Sequence, residues 1–426
     1  MALPIWKILL LSKTTGAALG EFTQYASGSY TKKLNAAGSA NMTISLDDPI
    51  ASQIVPLQTV LAFQRNGVVV WSGPITSRDD AVPTRSVTIQ AVGFFDLLMH
   101  RVFRQARTVF TDVDAGQIAS AIVSEANAQS ETGIRIASVE TTSNRTEVFR
   151  RFESMGQSIV KLSQIENGYD FEVIGTEMHI YAQQGVDRSI TAAPGVDKVV
   201  LGFQAATQNI ATFSKKIDTS TFTNRLNAIT VGSTEIVEDS DSVAYYGLYE
   251  STQDIGGVSA DIGRAYASAE IAIRGLPLET IDVSLISVDE DERSPRFDGN
   301  QYNDSHYFGL GDKVRVVVQD PGLPLIDASF RVFGATLTLD PSGAERVSGL
   351  QLAAPLRTDI TSAGLAFRDS GGIYTAINAG NRSDAVTYNE DGYAITSQPY
   401  VNIPASQTWI VGDPVYSLLG VTTILT

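Results

Sequence analysis

The chain has 426 residues, with 31 basic against 47 acidic side chains, a formal charge of −16, no Cys and three His. The absence of Cys excludes disulfides, thiolate zinc sites, iron–sulfur ligation and a cysteine nucleophile. The acid surplus argues against a surface that grips nucleic-acid phosphates, because that affinity comes from Lys and Arg displacing counterions. With 43% hydrophobic residues, a sizeable core can be buried, and the length suits roughly two to four domains. The longest apolar runs, Ile8–Leu11 and Val68–Trp71 among them, are four residues, whereas a spanning helix needs about 20. Met1–Thr15 reads as a first strand rather than a signal peptide, so a soluble chain without membrane insertion is expected.

The first hundred residues read as strands. Ala40, Met42, Ile44 and Leu46 alternate with polar residues, which places them on one face. Val60–Arg65, Asn66-Gly67 and Val68–Trp71 predict a hairpin, since Asn-Gly accepts the positive φ angles of a type I′ turn. Pro74 marks an edge or a bulge in the strand that continues outward. Val87, Ile89 and Ala91 alternate again, and Phe94–His100 is expected as a short helix.

The next segment changes period. Asp114 precedes Ile118, Ala119, Ile122 and Ala126, with Gln117 placed for a capping box. A second helix begins at Ser154, with Met155, Ile159, Leu162 and Ile165 on one face, and Gly168 ends it. Tyr169–Val173 then pairs with Met178–Tyr181 across Gly175-Thr176-Glu177.

From about 206 strands return. Leu226–Gly232 is one. A helix Asp261–Arg274 carries Ile262, Ala265, Tyr266, Ala269 and Ile273 on one face, and Ile281, Val283 and Leu285 alternate after it. Asp289–Gly299 reads as an acidic loop, and Gly309–Val318 as a turn feeding a strand. Strands 57–65, 68–79 and 85–92 share a layout with 310–319, 329–340 and 345–353, a weak internal repeat. The last residues are rich in Gly, Ser, Asn and Thr. Tyr374, Tyr388, Tyr393, Tyr400 and Trp409 among them suggest short strands whose aromatics need burial.

Catalytic signatures are missing. There is no nucleophile elbow, Walker loop or dinucleotide fingerprint, and Gly309-Leu310-Gly311-Asp312 reads as a tight turn. His100, His179 and His306 are too scattered for a ligand set. Asp289-Glu290-Asp291-Glu292 reads as a solvated run without EF-hand spacing, and in Asp112-Val113-Asp114-Ala115-Gly116 a helix cap explains Asp114 more simply than calcium. Arg101, Arg104 and Arg107 around Phe103 read as an inter-domain salt-bridge surface.

The order of several motifs along the chain resembles phage minor tail proteins that form the tail-tip (baseplate) hub. These are Gly28–Asn35, Gly38–Ile44, Arg65-Asn66-Gly67, Trp71–Ile75, the helix at Ser154 followed by Tyr169–Val173 and Met178–Ile180, and Leu310–Val316. The similarity spans roughly residues 1 to 355. It implies a mainly β chain with α+β insertions: two tube-like β-barrel domains, a small α+β domain and a β-rich C-terminal extension. The boundaries expected are 1–99 and 206–358 for the barrels, the latter holding helix 261–274, with 100–205 for the α+β domain and 359–426 for the extension.

The resemblance also implies a function. The chain would be a structural virion component, made in the host cytoplasm and placed at the tail tip. As a homotrimer with two barrels per chain it would close the tail tube and adapt sixfold to threefold symmetry. Its partners would be the distal tail protein and tube, the tape-measure protein, receptor-binding or fibre proteins, and genomic DNA passing without specific binding. No enzymatic activity is expected, and no catalytic, cofactor-binding or metal residue; the chain is too short for the wall-degrading domain of longer hubs. Two alternatives stand beside it: a carbohydrate-binding adhesin using the C-terminal aromatics, and a glycoside hydrolase with an unrecognised carboxylate pair.

Overall fold

The computed structural model describes residues 5–353, apart from 165–167, 190–191, 206–207, 231, 255–259, 287–294, 299–306, 324 and 342–343. Beyond residue 353 it describes five short strands. The chain forms two compact units. One comprises 1–186, 282–312 and 332–351, and the other comprises 187–281, 313–331 and 352–426.

The first unit opens with β1 (Trp6–Ser12), β2 (Ala18–Glu21), β3 (Tyr25–Lys33), β4 (Ser39–Ser45), β5 (Thr59–Arg65), β6 (Val68–Ala81) and β7 (Ser86–Val92). They pair in the order β3-β4-β7-β6-β5-β1-β2. Alternation dictates the inward faces: Met42 and Ile44, Val87 and Ile89, and Ile8 and Leu10 are all buried. The expected hairpin joins β5 to β6, with Asn66 at φ 51° and Gly67 at φ 83°, both positive as a type I′ turn requires. The strand β6 changes partner midway, pairing with β5 up to Pro74 and with β7 from Ile75. Pro74 therefore sits at the changeover, where its missing N–H costs the ladder least.

The α+β part follows with α1 (Asp96–Met99), β8 (Arg107–Asp114), α2 (Ala115–Gln129), β9 (Arg135–Val139), β10 (Asn144–Arg150), α3 (Met155–Gln164), β11 (Asp170–Ile174) and β12 (Glu177–Tyr181). The helix expected over Phe94–His100 shortens to the single turn α1. Asp114 caps α2 by accepting a hydrogen bond from the Gln117 N–H at 3.1 Å. Ile118, Ile122 and Ala126 of α2 pack with Met155, Ile159 and Leu162 of α3 over Phe171, Met178 and Ile180. Ile165, expected on the same face of α3, lies outside the described residues. The strand β12 pairs antiparallel with β11 and parallel with β9, while β8 and β10 form a separate two-stranded ribbon.

The second unit contains β13 (Val200–Phe203), β14 (Ile210–Asp218), β15 (Arg225–Ile229), β16 (Thr234–Glu238), α4 (Ser240–Tyr246), β17 (Glu250–Asp254) and α5 (Ala260–Arg274). The strand expected over Leu226–Gly232 stops at Ile229, and α4 was not foreseen. On α5 only Tyr266 of the expected face falls among the described side chains, and it packs against the core. Ala267 and Ile271 are buried residues of the helix, packed with Leu226 and Ala228, and Tyr266 lies partly buried beside them. The side chains of Ile262, Ala265, Ala269 and Ile273 lie outside the described residues.

Six strands complete the main body: β18 (Leu278–Leu285), β19 (Arg296–Phe297), β20 (Tyr307–Phe308), β21 (Lys313–Val318), β22 (Ile326–Leu339) and β23 (Glu345–Ala353). In the second unit β21 pairs with Ile326–Arg331 of β22 and runs parallel to β13. In the first unit Gly334–Leu339 of β22 pairs with β3. Both three-strand series of the proposed repeat are thus strands, and the middle strand is 14 residues long in each. The final strands, β24 (Leu365–Arg368), β25 (Tyr374–Ile377), β26 (Val386–Tyr388), β27 (Pro414–Ser417) and β28 (Thr422–Ile424), form an antiparallel sheet in the order β26-β25-β24-β27-β28.

With 50% of the described residues in strands and 16% in helices, the chain is mainly β with α+β insertions, as expected. Its largest sheet is mostly antiparallel and open, and in place of the two tube-like barrels expected, no sheet among the described residues closes into a barrel. Closure needs the two end strands to pair along their length. At one end of the first unit's sheet stands β2, only four residues long, which pairs with β1. No described helix is long and apolar enough to cross a membrane.

Candidate functional site

The residues singled out for chemistry are dispersed. His100 is exposed, with its Nε2 3.2 Å from Asp96. The Nδ1 of His179 is 3.0 Å from the Ser138 hydroxyl, and its ring stacks on Tyr181. His306 and the run Asp289–Glu292 lie outside the described residues, as do the side chains of Tyr374, Tyr388, Tyr393, Tyr400 and Trp409. Asp112 accepts from the Asn144 amide at 3.1 Å, and Asp114 serves as the cap of α2. No group of three His, Asp or Glu able to hold a metal occurs among the described residues.

The turn Gly309–Asp312 is structural. Gly311 has φ 83°, and a Cβ there would meet the Gln184 carbonyl oxygen at 2.3 Å. The buried Asp312 carboxylate accepts from the backbone N–H of Val186 at 2.7 Å and of Gly309 at 2.9 Å, fixing the approach.

The arginine group differs from expectation. Phe103 is fully buried and stacks on Phe149 at 4.9 Å. Arg101 donates to the Ser130 carbonyl, while Arg104 and Arg107 are exposed. None of the three forms an ion pair among the described residues, so the anticipated salt-bridge surface is an uncovered basic one. Antiparallel pairing of β8 with β10 also adds Arg150, directly opposite Arg107.

The most organised polar site is buried in the first unit. Period-two geometry turns Gly28, Tyr30 and Lys32 of β3 inward. A buried ammonium is costly unless paired. Lys32 has its Nζ 2.7 Å from Asp298 and 2.8 Å from Glu172. Burial disfavours its charged form, but Asp298 and Glu172 outweigh that and hold its pKa above the ordinary lysine value. The other Glu172 oxygen accepts from the Gln184 amide at 2.9 Å.

Beside this pair lies Arg65, 1% exposed. It donates to the carbonyls of Phe297 and Asp298 at 3.3 Å each, approaches Glu345 at 3.5 Å, and lies 5.3 Å from the centroid of the Trp6 ring. The Tyr30 hydroxyl, 3.5 Å from Arg65, has its pKa raised by burial and further by Glu345. Five distant chain segments meet here, at Tyr30–Lys32, Arg65, Glu172, Phe297–Asp298 and Glu345. Lys32 sits between two carboxylates that favour its charged form. The arrangement fixes strands in place, as a scaffold requires. The one signal for it in the sequence was an inward-facing Lys in an alternating strand.

Structural comparison gives several similar solved proteins, three tail proteins among them. The tail protein from Neisseria meningitidis MC58 superposes with a TM-score of 0.54 at 12% identity, over 82% of this chain and 96% of that one. The 43 kDa tail protein of prophage MuSo2 from Shewanella oneidensis gives 0.52 at 13% identity, over 83% and 99%. This chain has a phage tail-protein fold. Prophage tail protein gp18 from Listeria monocytogenes EGD-e agrees, at 0.50 and 10% identity, over 83% and 96%. No family model matches the sequence, and no curated protein matches it. At these identities it is the arrangement of strands that is shared, which is the level at which the tail-protein fold is specified.

Proposed function

We propose that this chain is a structural, non-enzymatic component of a phage tail: the tail-tip hub of a long-tailed phage. The observation that carries this reading is the tail-protein fold, which extends over more than four fifths of the chain and nearly the whole of each similar protein. The buried charge cluster is in keeping with a scaffold, since its ion pairs form only when distant strands take one arrangement.

In this reading three copies assemble around the tail axis. Each presents two related β modules, one built around β6 and the other around β22. Six docking surfaces then meet the tube while threefold symmetry is left below. The hub contacts the distal tail protein and tube above, the tape-measure protein within and receptor-binding or fibre proteins around it. Genomic DNA passes through without specific binding, which the charge of −16 favours by repelling phosphates. The four segments 1–99, 100–205, 206–358 and 359–426 are its working divisions, the last reaching a neighbouring subunit or fibre. The chain is made in the host cytoplasm and ends in the virion at the tail tip.

Mass photometry with negative-stain microscopy of the purified chain tests this. Rings of three copies are expected. A persistent monomer at micromolar concentration, or two β modules that cannot be superposed in an experimental map, overturns the adaptor.

A further inference from the structure

The outer face of the β8–β10 ribbon is unusual for so acidic a chain. Arg107 and Arg150 stand directly opposite each other, both exposed, although like charges in that relation destabilise a ribbon. The pair Val109–Val148 lies on the same face, with Val109 48% exposed. Next along the chain, the Arg151 guanidinium sits 4.8 Å from the centroid of the Phe152 ring. Phe152 is 69% exposed and has φ 69°, a strained conformation for a bulky residue, held by its N–H donating to the Phe103 carbonyl at 2.8 Å. Arg107, Arg150 and Arg151 make no ion pair among the described residues. The valines and Phe152 point to a protein occupant, since a bare polyanion has no use for them.

A patch of complementary chemistry lies in the second unit, at the corner after α4. Tyr245, Leu248 and Tyr249 are 57%, 49% and 53% exposed. Phe222 meets Tyr246 and Tyr249 edge-on at 5.3 and 4.9 Å. Exposed Asp241 and Glu250 flank the rings. The corner is rigid: the Asn224 amide donates to the Gly247 carbonyl and accepts from the Tyr249 N–H, both at 2.7 Å. Aromatic faces bordered by carboxylates are what guanidinium groups bind. Both patches are exposed within the single chain.

We propose that the Arg107–Arg150 face of one copy docks on the Tyr245–Glu250 corner of a second copy. The two patches differ, so the contact is head-to-tail and generates a ring where its rotation closes. This rests on the reading that the chain works as an assembly of identical copies, and it names the surfaces.

Sedimentation velocity at tens of micromolar, in low and high salt, tests it. Wild type is expected to associate, less so in high salt. Either R107E/R150E or D241R/E250R weakens association by about tenfold or more. The chain carrying all four changes regains it; this recovery separates lost contact from lost folding. Assembly unchanged by both reversals overturns this contact, leaves the patches to other partners and leaves the trimer standing. A wild-type chain that stays monomeric overturns both. Loss in the double variants without recovery in the four-fold variant overturns the pairing.

Discussion

The Lys32 ammonium lies 2.7 Å from the Asp298 carboxylate, 266 positions further along the chain. Removing one partner of a buried pair leaves the other charge stranded, at a cost of about 3–5 kcal/mol, whereas replacing the whole set with well-packed apolar groups is close to neutral. Lys32→Met should therefore lower the urea midpoint sharply, and K32M/E172L/D298L should recover much of the loss. A single variant as stable as wild type would show that the cluster does not hold the first unit together.

Stability should fall in alkali. Lys32, Tyr30 and Tyr169 all have folded pKa values above their ordinary values of 10.5, 10.0 and 10.0. For Lys32 burial opposes the rise and Asp298 and Glu172 cause it, while burial itself raises the two tyrosines. A group with a raised folded pKa holds its proton more tightly when folded. Its contribution is complete below the ordinary value and is lost as pH climbs toward the folded one. These three groups therefore leave stability flat from neutral pH to about 10 and reduce it beyond. Thermal melts against pH, with tyrosinate absorbance recorded in parallel, check this. Ionisation of Tyr30 and Tyr169 should coincide with unfolding; all tyrosines titrating near pH 10 in a folded chain would contradict it.

Gly311→Ala should destabilise by about 1–3 kcal/mol from its φ of 83° alone. The approach of the new Cβ to the Gln184 carbonyl at 2.3 Å adds to that. Gly67→Ala, at a turn with open space around it and a similar φ, isolates the conformational part. Equal losses at the two sites would show that the contact with Gln184 relaxes freely.

Asp114→Ala removes the cap of α2, which is worth about 1 kcal/mol. The same carboxylate also accepts from the Thr142 N–H at 2.5 Å, so the loss should exceed that of a simple cap, and Asp114→Asn should restore part of it. Chemical denaturation reads both, and an Asp114→Ala chain that unfolds like wild type rules the cap out as a support of α2.

Much of the local structure was legible because short-range rules govern it. Asn66-Gly67 announced a turn that only positive φ angles satisfy, Asp114 and Ser154 marked helix starts, and strict alternation named the buried faces around Ile44 and Ile89. The legible part thinned where partners were distant. Ala267 and Ile271 of α5 went unnamed because a run of Ala, Ile and Tyr fits several helical phases, and packing on Leu226 and Ala228 brought them into the core. The helix α4 was missed because Ser240–Tyr246 has too few apolar residues to show a period.

The arginines show the same divide. Sequence reading gathered Arg101, Arg104 and Arg107 but assigned them salt bridges. That Arg107 faces Arg150 rather than an acid follows from the register of β8 against β10, and register is set by the buried faces of both strands together.

The sequence by itself determined the mainly β character, the positions of turns and caps and the absence of cysteine chemistry, because each depends on residues a few positions apart. Only the tertiary structure decided that the sheets stay open, that Lys32 meets Asp298 and Glu172, and that a basic face and an acidic aromatic corner are left uncovered. Those outcomes depend on which distant segments pack together, a choice made by summed burial over the whole chain that no local stretch encodes.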